Sequence, residues 1–292
     1  MKKIFQNFFK NKNKIKEEKY KAKILPKIKE FKEILKSNKS ISFLHYGHLG
    51  DIVNSLPVIK EISKDKKCIL YIQKEKPIPQ HVISKDHPLG SVYLSEKSIF
   101  KMLPLLKKQK YLEKVEIYEN QKIDIDLNFF RNLPINFNID SVRWYFHLTG
   151  CFPDLSKSYL EVEQHSRFKD YLVIMRSLRR QNQFIDYSFL SKYKNIIFIG
   201  LENEFTDLRK KISNLEYYDS KDFLELAMII KNSKLFIGNL SFGYALAEAL
   251  KVPRLLESGP NFPLVYPNGN HAYDFYFQNH FEDLVKKLYF IK

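Results

Sequence analysis

Glycine is scarce in this chain, with nine in 292 residues. That scarcity excludes a collagen-like or glycine-rich low-complexity polymer. It also makes each place where glycines gather worth reading. Cysteine is nearly absent. Cys68 and Cys151 stand far apart in no metal-like spacing, which argues against a disulfide framework and a cysteine zinc site. Two free thiols in a reducing compartment are expected. No stretch approaches the roughly 18 apolar residues of a membrane span. The opening "MKKIFQNFFKNKNKIKEE" has neither the sustained apolar core nor the small-residue cleavage site of a secretory signal. A cytoplasmic location is therefore expected. Acidic residues are the minority charge, 33 against 49 Lys and Arg, for a net +16.

That excess invites a nucleic-acid reading, but it is unevenly placed. Residues 1–40 hold fourteen lysines against four glutamates, a balance of +10, and the rest of the chain carries only +6. A solvated lysine-rich arm accounts for this. The apolar, aromatic "IFQNFF" followed by lysines also suits an anionic membrane surface, which would hold the protein at the inner face of a membrane. No nucleic-acid partner is expected. A basic nucleic-acid-binding protein is the outlying alternative.

What the chain does have is alternation. Short apolar runs at 41–46, 68–73, 114–118, 123–127, 171–175, 195–200, 215–218, 234–238 and 253–258 read as strands. Helical spacing separates many of them, at 51–63, 96–109, 204–212, 241–250 and after Ser220, a residue type suited to an N-cap. Strands alternating with helices predict parallel sheets with crossover helices. The expected fold class is α/β, with two Rossmann-like domains facing a central cleft. The expected boundaries are a basic arm at 1–40, a first domain at 41–165, a second at 168–278 and a C-terminal helix at 279–292. Gly47, Gly200, Gly238 and Gly259 each fall at a predicted strand end, the edge where open parallel sheets bind ligands.

The stretch "FLHYGHLGDIVNSLP" (43–57) concentrates this pattern: Gly47 and Gly50 form a backbone turn between strand and helix, beside His48 and Asp51. "GHLGDIVNSLPVIKEI" (47–62) and "KLFIGNLSFGYALAEALKVPRLLESGPNFP" (234–263) together resemble two motifs of the heptosyltransferase family of GT-B glycosyltransferases, glycosyltransferase family 9, in order and in spacing. The resemblance implies an acceptor domain followed by a nucleotide-sugar domain, with inverting, metal-independent transfer. Three positions depart from the family pattern: Leu240 stands where the family has Asp, Phe242 where it has Gly, and Ala245 where it has His. A non-catalytic nucleotide- or sugar-binding relative is the alternative these departures leave.

Inverting transfer needs a base for the acceptor hydroxyl and neutralisation of the departing phosphate. Asp51 is the expected base, with a helix N-cap as its structural alternative. His48 is expected to orient acceptor or donor, or else to be a satisfied loop residue. For the diphosphate, Arg176, Ser177, Arg179 and Arg180 follow the first strand of the second domain, where guanidinium forks suit phosphate. A solvated basic loop is the alternative there. Asn239, Ser241, Phe242 and Gly243 would add backbone amides at a helix N-terminus. Glu202 and Glu204 are candidates for the ribose, or are helix N-terminal charges. Ser258, Gly259 and Asn261 are candidates for the sugar. No metal and no cofactor are expected, the nucleotide sugar being a substrate and a glycan or lipid-linked molecule the acceptor. Asp124 and Asp126, in "DID", match the Asp-x-Asp pattern of metal-dependent transferases, but a polar strand edge is the favoured reading. Arg143, Trp144, Tyr145 and His147 suggest either a sugar-stacking platform or core packing.

Overall fold

The computed structural model describes residues 14–290 except 16, 81–89 and 260–265. Among these, helical residues at 14, 15 and 17–19 lead into a π-helical turn at Tyr20–Ile24 that runs into α1 (Leu25–Ser37). Then follow β1 (Ser40–His45), α2 (Leu49–Ile62), β2 (Lys67–Ile72), α3 (Glu96–Lys107), β3 (Lys114–Ile117), β4 (Ile125–Asp126) and α4 (Val142–Thr149). The four strands form one parallel sheet in the order β3-β2-β1-β4. Alternation explains the central strand. Ile41, Phe43 and His45 of β1 are buried, whereas Ser42 and Leu44 are only partly covered.

The second sheet starts with β5 (Leu172–Met175) and β6 (Ile196–Phe198). It continues through α5 (Glu202–Arg209), β7 (Leu215–Tyr217), α6 (Phe223–Asn232), β8 (Leu235–Asn239), α7 (Phe242–Leu250), β9 (Arg254–Glu257), β10 (Ala272–Phe275) and α8 (Gln278–Tyr289). Its order is β10-β9-β8-β5-β6-β7, again all parallel. β8 lies inside the sheet and is buried at all five residues, as a strand covered on both faces must be.

The lobes meet where α2 packs on α7 and α3 on α6. That explains why α2 is buried nearly all round, from Ile52 to Ile59 and again at Ile62, rather than along one stripe. One apolar cluster runs through both helices, from Ile24 to Leu256.

Two expectations are corrected. The segment 1–40 is not wholly a solvated arm: Ile24 and Phe31 are buried, and Phe31 meets Phe129 edge-on at 5.8 Å. The "IFQNFF" stretch lies outside the described residues. The cap of α6 is Asp222, whose Oδ1 accepts from Glu225 N at 2.8 Å, and not Ser220. Tyr145 is core, as its helical spacing favoured. Strand β10 was not anticipated, because "AYDF" carries little apolar pattern.

Candidate functional site

Each sheet reverses its strand order once. In the first, β1 is followed outward by β2 and β3 on one side and joined by β4 on the other. The loops leaving β1 and β4 start at neighbouring strand ends, the edge where open parallel sheets bind ligands. Residues 46–51 and 127–131 meet there, joined by Tyr46 N to Asn128 Oδ1 and by Arg131 Nη2 to Asp51 Oδ2.

Asp51 is the third residue of α2, and His48 takes the N-cap position. The Asp51 carboxylate reaches back: Oδ2 accepts from His48 N at 3.3 Å and from Arg131 Nη2 at 3.2 Å. Among the described residues no hydrogen bond engages Oδ1, and the side chain is 19% exposed. His48 Nδ1 lies 3.0 Å from the Tyr93 carbonyl. A carbonyl only accepts, so Nδ1 carries the proton and the neutral ring turns its lone pair to Nε2. Burial pushes the imidazole below its usual value, opposed by Asp51 and the Tyr93 carbonyl, with smaller lowering contributions from Arg131 and Arg179.

Behind this, Gly47 N donates to His45 Nδ1 at 2.9 Å, which leaves His45 Nε2 to donate to Tyr145 Oη, also at 2.9 Å. A Cβ on Gly47 would stand 2.7 Å from His45 Cε1 and 2.8 Å from Asp51 Oδ2. Gly47 is thus required for close approach of two side chains rather than for an unusual backbone angle. Gly50 faces open space, with nothing within 4 Å of its missing Cβ.

The sequence reading missed Arg131. It stands five residues beyond Asp126, and "DID" is what holds it in place. Asp124 accepts from Ser42 N and Ser42 Oγ, each at 2.8 Å. Asp126 accepts from Asn128 N at 2.9 Å and Nδ2 at 2.7 Å. Asn128 Oδ1 in turn accepts from Tyr46 N and Arg131 Nη1. The guanidinium then lies 4.4 Å from the Phe130 ring centre and 4.8 Å from that of Tyr93. Both aspartates are engaged, Asp124 by Ser42 and Asn38 and Asp126 by Asn128, and among the described residues no group of three or more His, Cys, Asp and Glu is placed to hold a metal.

In the second sheet the order reverses between β5 and β8. Asn239, at the end of β8 and fully buried, pairs with the backbone of Ser177: its Oδ1 accepts from Ser177 N at 2.9 Å and its Nδ2 donates to Ser177 O at 2.7 Å. Asn239 and Ser177 are therefore scaffold that fixes where the arginine loop leaves the sheet. Arg176 does not face the cleft. It is 3% exposed and forks onto Glu257, with Nε 2.6 Å from Oε2 and Nη2 2.8 Å from Oε1, over the Tyr187 ring. Asn182 N also donates to Glu257, so this buried carboxylate gathers the whole loop. Arg179 and Arg180, in the turn Leu178–Arg180, are partly buried. Burial and the like charge of Arg179 push the Arg180 guanidinium below its usual value, and the field of Arg179 reaches His48.

Glu204 serves as a cap: it accepts from Leu201 N at 3.2 Å and Leu178 N at 3.4 Å, and burial raises its carboxyl. Glu202 is exposed in the first turn of α5. Ser241 takes the N-cap position of α7 without a side-chain cap, its Oγ enclosed and unpartnered among the described residues. Phe242 packs edge-on against Phe223 at 4.7 Å. A Cβ on Gly243 would collide with Met175 Sδ at 2.2 Å, so this glycine seats the helix against β5. Ser258 is buried and its carbonyl accepts from Asn182 Nδ2 at 3.0 Å, which places it in the scaffold. Gly259 faces open space. Asn261 lies outside the described residues. A separate surface cavity of about 540 Å³ sits between α3 and the start of α6, lined by Phe100, Lys101 and Lys221 among others, and includes none of these groups.

No family model matches the chain, and no curated protein matches it in sequence. Solved structures do. ADP-heptose LPS heptosyltransferase II of E. coli superposes with a TM-score of 0.58 at 11% identity, over 86% of this chain and 98% of that one. A glycosyl transferase family 9 protein of Veillonella parvula gives 0.54 at 11%, over 87% and 90%. TibC, an iron-containing dodecameric glycosyltransferase of enterotoxigenic E. coli, gives 0.51 at 13%, over 81% of this chain and 62% of that one. The fold is therefore that of GT-B glycosyltransferases of the heptosyltransferase type.

Proposed function

We propose that this GT-B chain transfers a sugar from a nucleotide-sugar donor to a glycan or lipid-linked acceptor, with inversion and without a metal. The observation that carries the reading is Asp51: a carboxylate held by one oxygen at the C-terminal edge of the first sheet, with the other oxygen unengaged among the described residues, beside a His48 that feels the charge of Arg179.

Asp51 Oδ1 would take the proton of an acceptor hydroxyl as that oxygen bonds to the sugar's anomeric carbon. The bond from that carbon to the diphosphate breaks, and its electron pair leaves on the diphosphate. Arg179, Arg180 and the amides opening α7 would receive this charge. Arg131 holds Asp51 in place, and His48 Nε2 is disposed to accept from a hydroxyl of either substrate. That a heptosyltransferase named for ADP-heptose shares the fold supports a nucleoside diphosphate leaving group. The lysine-rich start of the chain supports docking on anionic membrane lipid, which suits a lipid-linked acceptor.

The test is a screen of nucleoside diphosphates and nucleotide sugars by thermal shift, followed by turnover of the best binder with and without EDTA. Binding followed by EDTA-resistant transfer or hydrolysis is expected. A non-catalytic relative is the second reading, favoured by the apolar Leu240, Phe242 and Ala245 at the family's Asp, Gly and His positions. It predicts binding with no turnover, and equal binding by Asp51→Ala.

A further inference from the structure

The cavity of about 540 Å³ between the lobes takes no part in the proposed transfer. Its lining comes from α3 of the first lobe and from Lys221 and Asp222, at the start of α6 in the second. The pattern of α3 explains the apolar part. Ile99, Met102, Leu105 and Leu106 turn to the core and are buried. Lys97, Phe100, Lys101 and Pro104 recur at the three- and four-residue spacing of a second helical face, and all four line the cavity. Phe100 is 56% exposed there.

The charges around the cavity differ in what they leave available. Its two carboxylates are committed. Glu96 Oε1 lies 2.7 Å from Lys74 Nζ, and Asp222 Oδ1 accepts from Glu225 N at 2.8 Å to cap α6. The ammonium of Lys101 makes one long bond across the lobes, 3.4 Å to the Ser220 carbonyl, and a carbonyl does not neutralise its charge. Lys97 and Lys221 are exposed, and among the described residues no hydrogen bond or ion pair engages either ammonium. Three cations from two lobes thus line a cavity that also presents an aromatic face.

We propose that this cavity is a second binding site, for a small organic anion with a flat apolar body, of the aryl phosphate kind. The anionic group would lie among Lys97, Lys101 and Lys221, and the ring against Phe100 and Pro104. The volume is that of a small-molecule site. Held by α3 on one side and Lys221 on the other, the ligand would bridge the lobes where α3 packs on α6. Two of the lysines are solvent-exposed, so the attraction should weaken as salt rises.

Calorimetric titration of the whole chain with naphthyl phosphate tests this, with inorganic phosphate and naphthol as the two half-ligands. Wild type should bind naphthyl phosphate more tightly than either half, and less tightly in high salt. The double variant Lys97→Glu/Lys221→Glu should bind it about tenfold more weakly or worse, since like charges then face the ligand. Phe100→Ser should bind severalfold more weakly. All three positions are exposed, so these variants should fold normally. Arg179→Ala should bind as wild type does. No binding by wild type, or equal binding by the double lysine variant, would overturn the site. Loss of binding in Arg179→Ala would also overturn it, by placing the anion at the proposed diphosphate position, and would leave the transfer reading standing.

Discussion

Arg131 Nη2 lies 3.2 Å from Asp51 Oδ2 while the same guanidinium stacks on Phe130 and Tyr93. The two residues are 80 positions apart in sequence and arrive from opposite sides of the strand-order reversal in the first sheet. Aromatic faces fix the fork's plane, so among the described residues only one carboxylate oxygen is bound and the other stays presented.

Lysine cannot reproduce that geometry, having a point charge and no plane. Arg131→Lys should therefore lower turnover by about 10²-fold, the order expected for a misplaced catalytic group, with KM for the donor changed little. Steady-state kinetics check this. An equal rise in KM with unchanged kcat would show that Arg131 binds donor instead.

Gly47 and Gly50 should separate stability from function. Gly47→Ala forces a Cβ to within 2.7 Å of His45 and 2.8 Å of Asp51, and should destabilise by about 1–3 kcal/mol. Gly50→Ala meets nothing and lies within α2. It should be neutral or stabilising by up to about 1 kcal/mol, yet raise KM if the space beside it holds substrate. Denaturant melts with kinetics on both variants distinguish the two effects.

The three arginines of one loop should behave differently. Arg176→Ala strands Glu257 as a buried charge and should cost about 3–5 kcal/mol of stability. Arg179→Ala and Arg180→Ala should fold normally and weaken diphosphate binding by about 1.5–3 kcal/mol each. Calorimetric titration with nucleoside diphosphate measures this directly.

These arginines also mark what a sequence can carry. Strands such as Lys67–Ile72 and Leu235–Asn239 were legible because an apolar run between helical patterns has few other ways to bury itself. The place of Asp51 in the first turn of a helix was legible because it sits beside glycines at such a junction. Arg176 and Arg179 are not distinguishable by type or spacing. Only the fold shows that Glu257, 81 residues away, claims the first. Arg131 was hidden for the same reason. Its partner is remote, and the Asp-x-Asp that positions it reads equally well as a metal motif. The docking of α1 was masked by lysines around the buried Phe31.

His45 gives a pH test of the scaffold. Burial holds its imidazole well below the usual 6.5, with smaller contributions from Arg131 and His48. The unfolded chain therefore takes up the proton first, so this contribution is present above pH 6.5 and is lost as pH falls toward the depressed folded value. His45→Gln can still accept from Gly47 and donate to Tyr145. Its stability should change less with pH between 7 and 5 than that of wild type. Identical slopes would mean that His45 is not buried as a neutral ring.

The most direct measurement is donor binding and sugar transfer in wild type and Asp51→Asn, side by side. Asparagine keeps an acceptor for Arg131 and His48 N but cannot take a proton. The account predicts nucleoside diphosphate affinity within a few-fold of wild type and turnover reduced by about 10²–10⁴-fold, the share of a general base. Unchanged turnover in Asp51→Asn, or a wild type that binds no nucleotide, would contradict it.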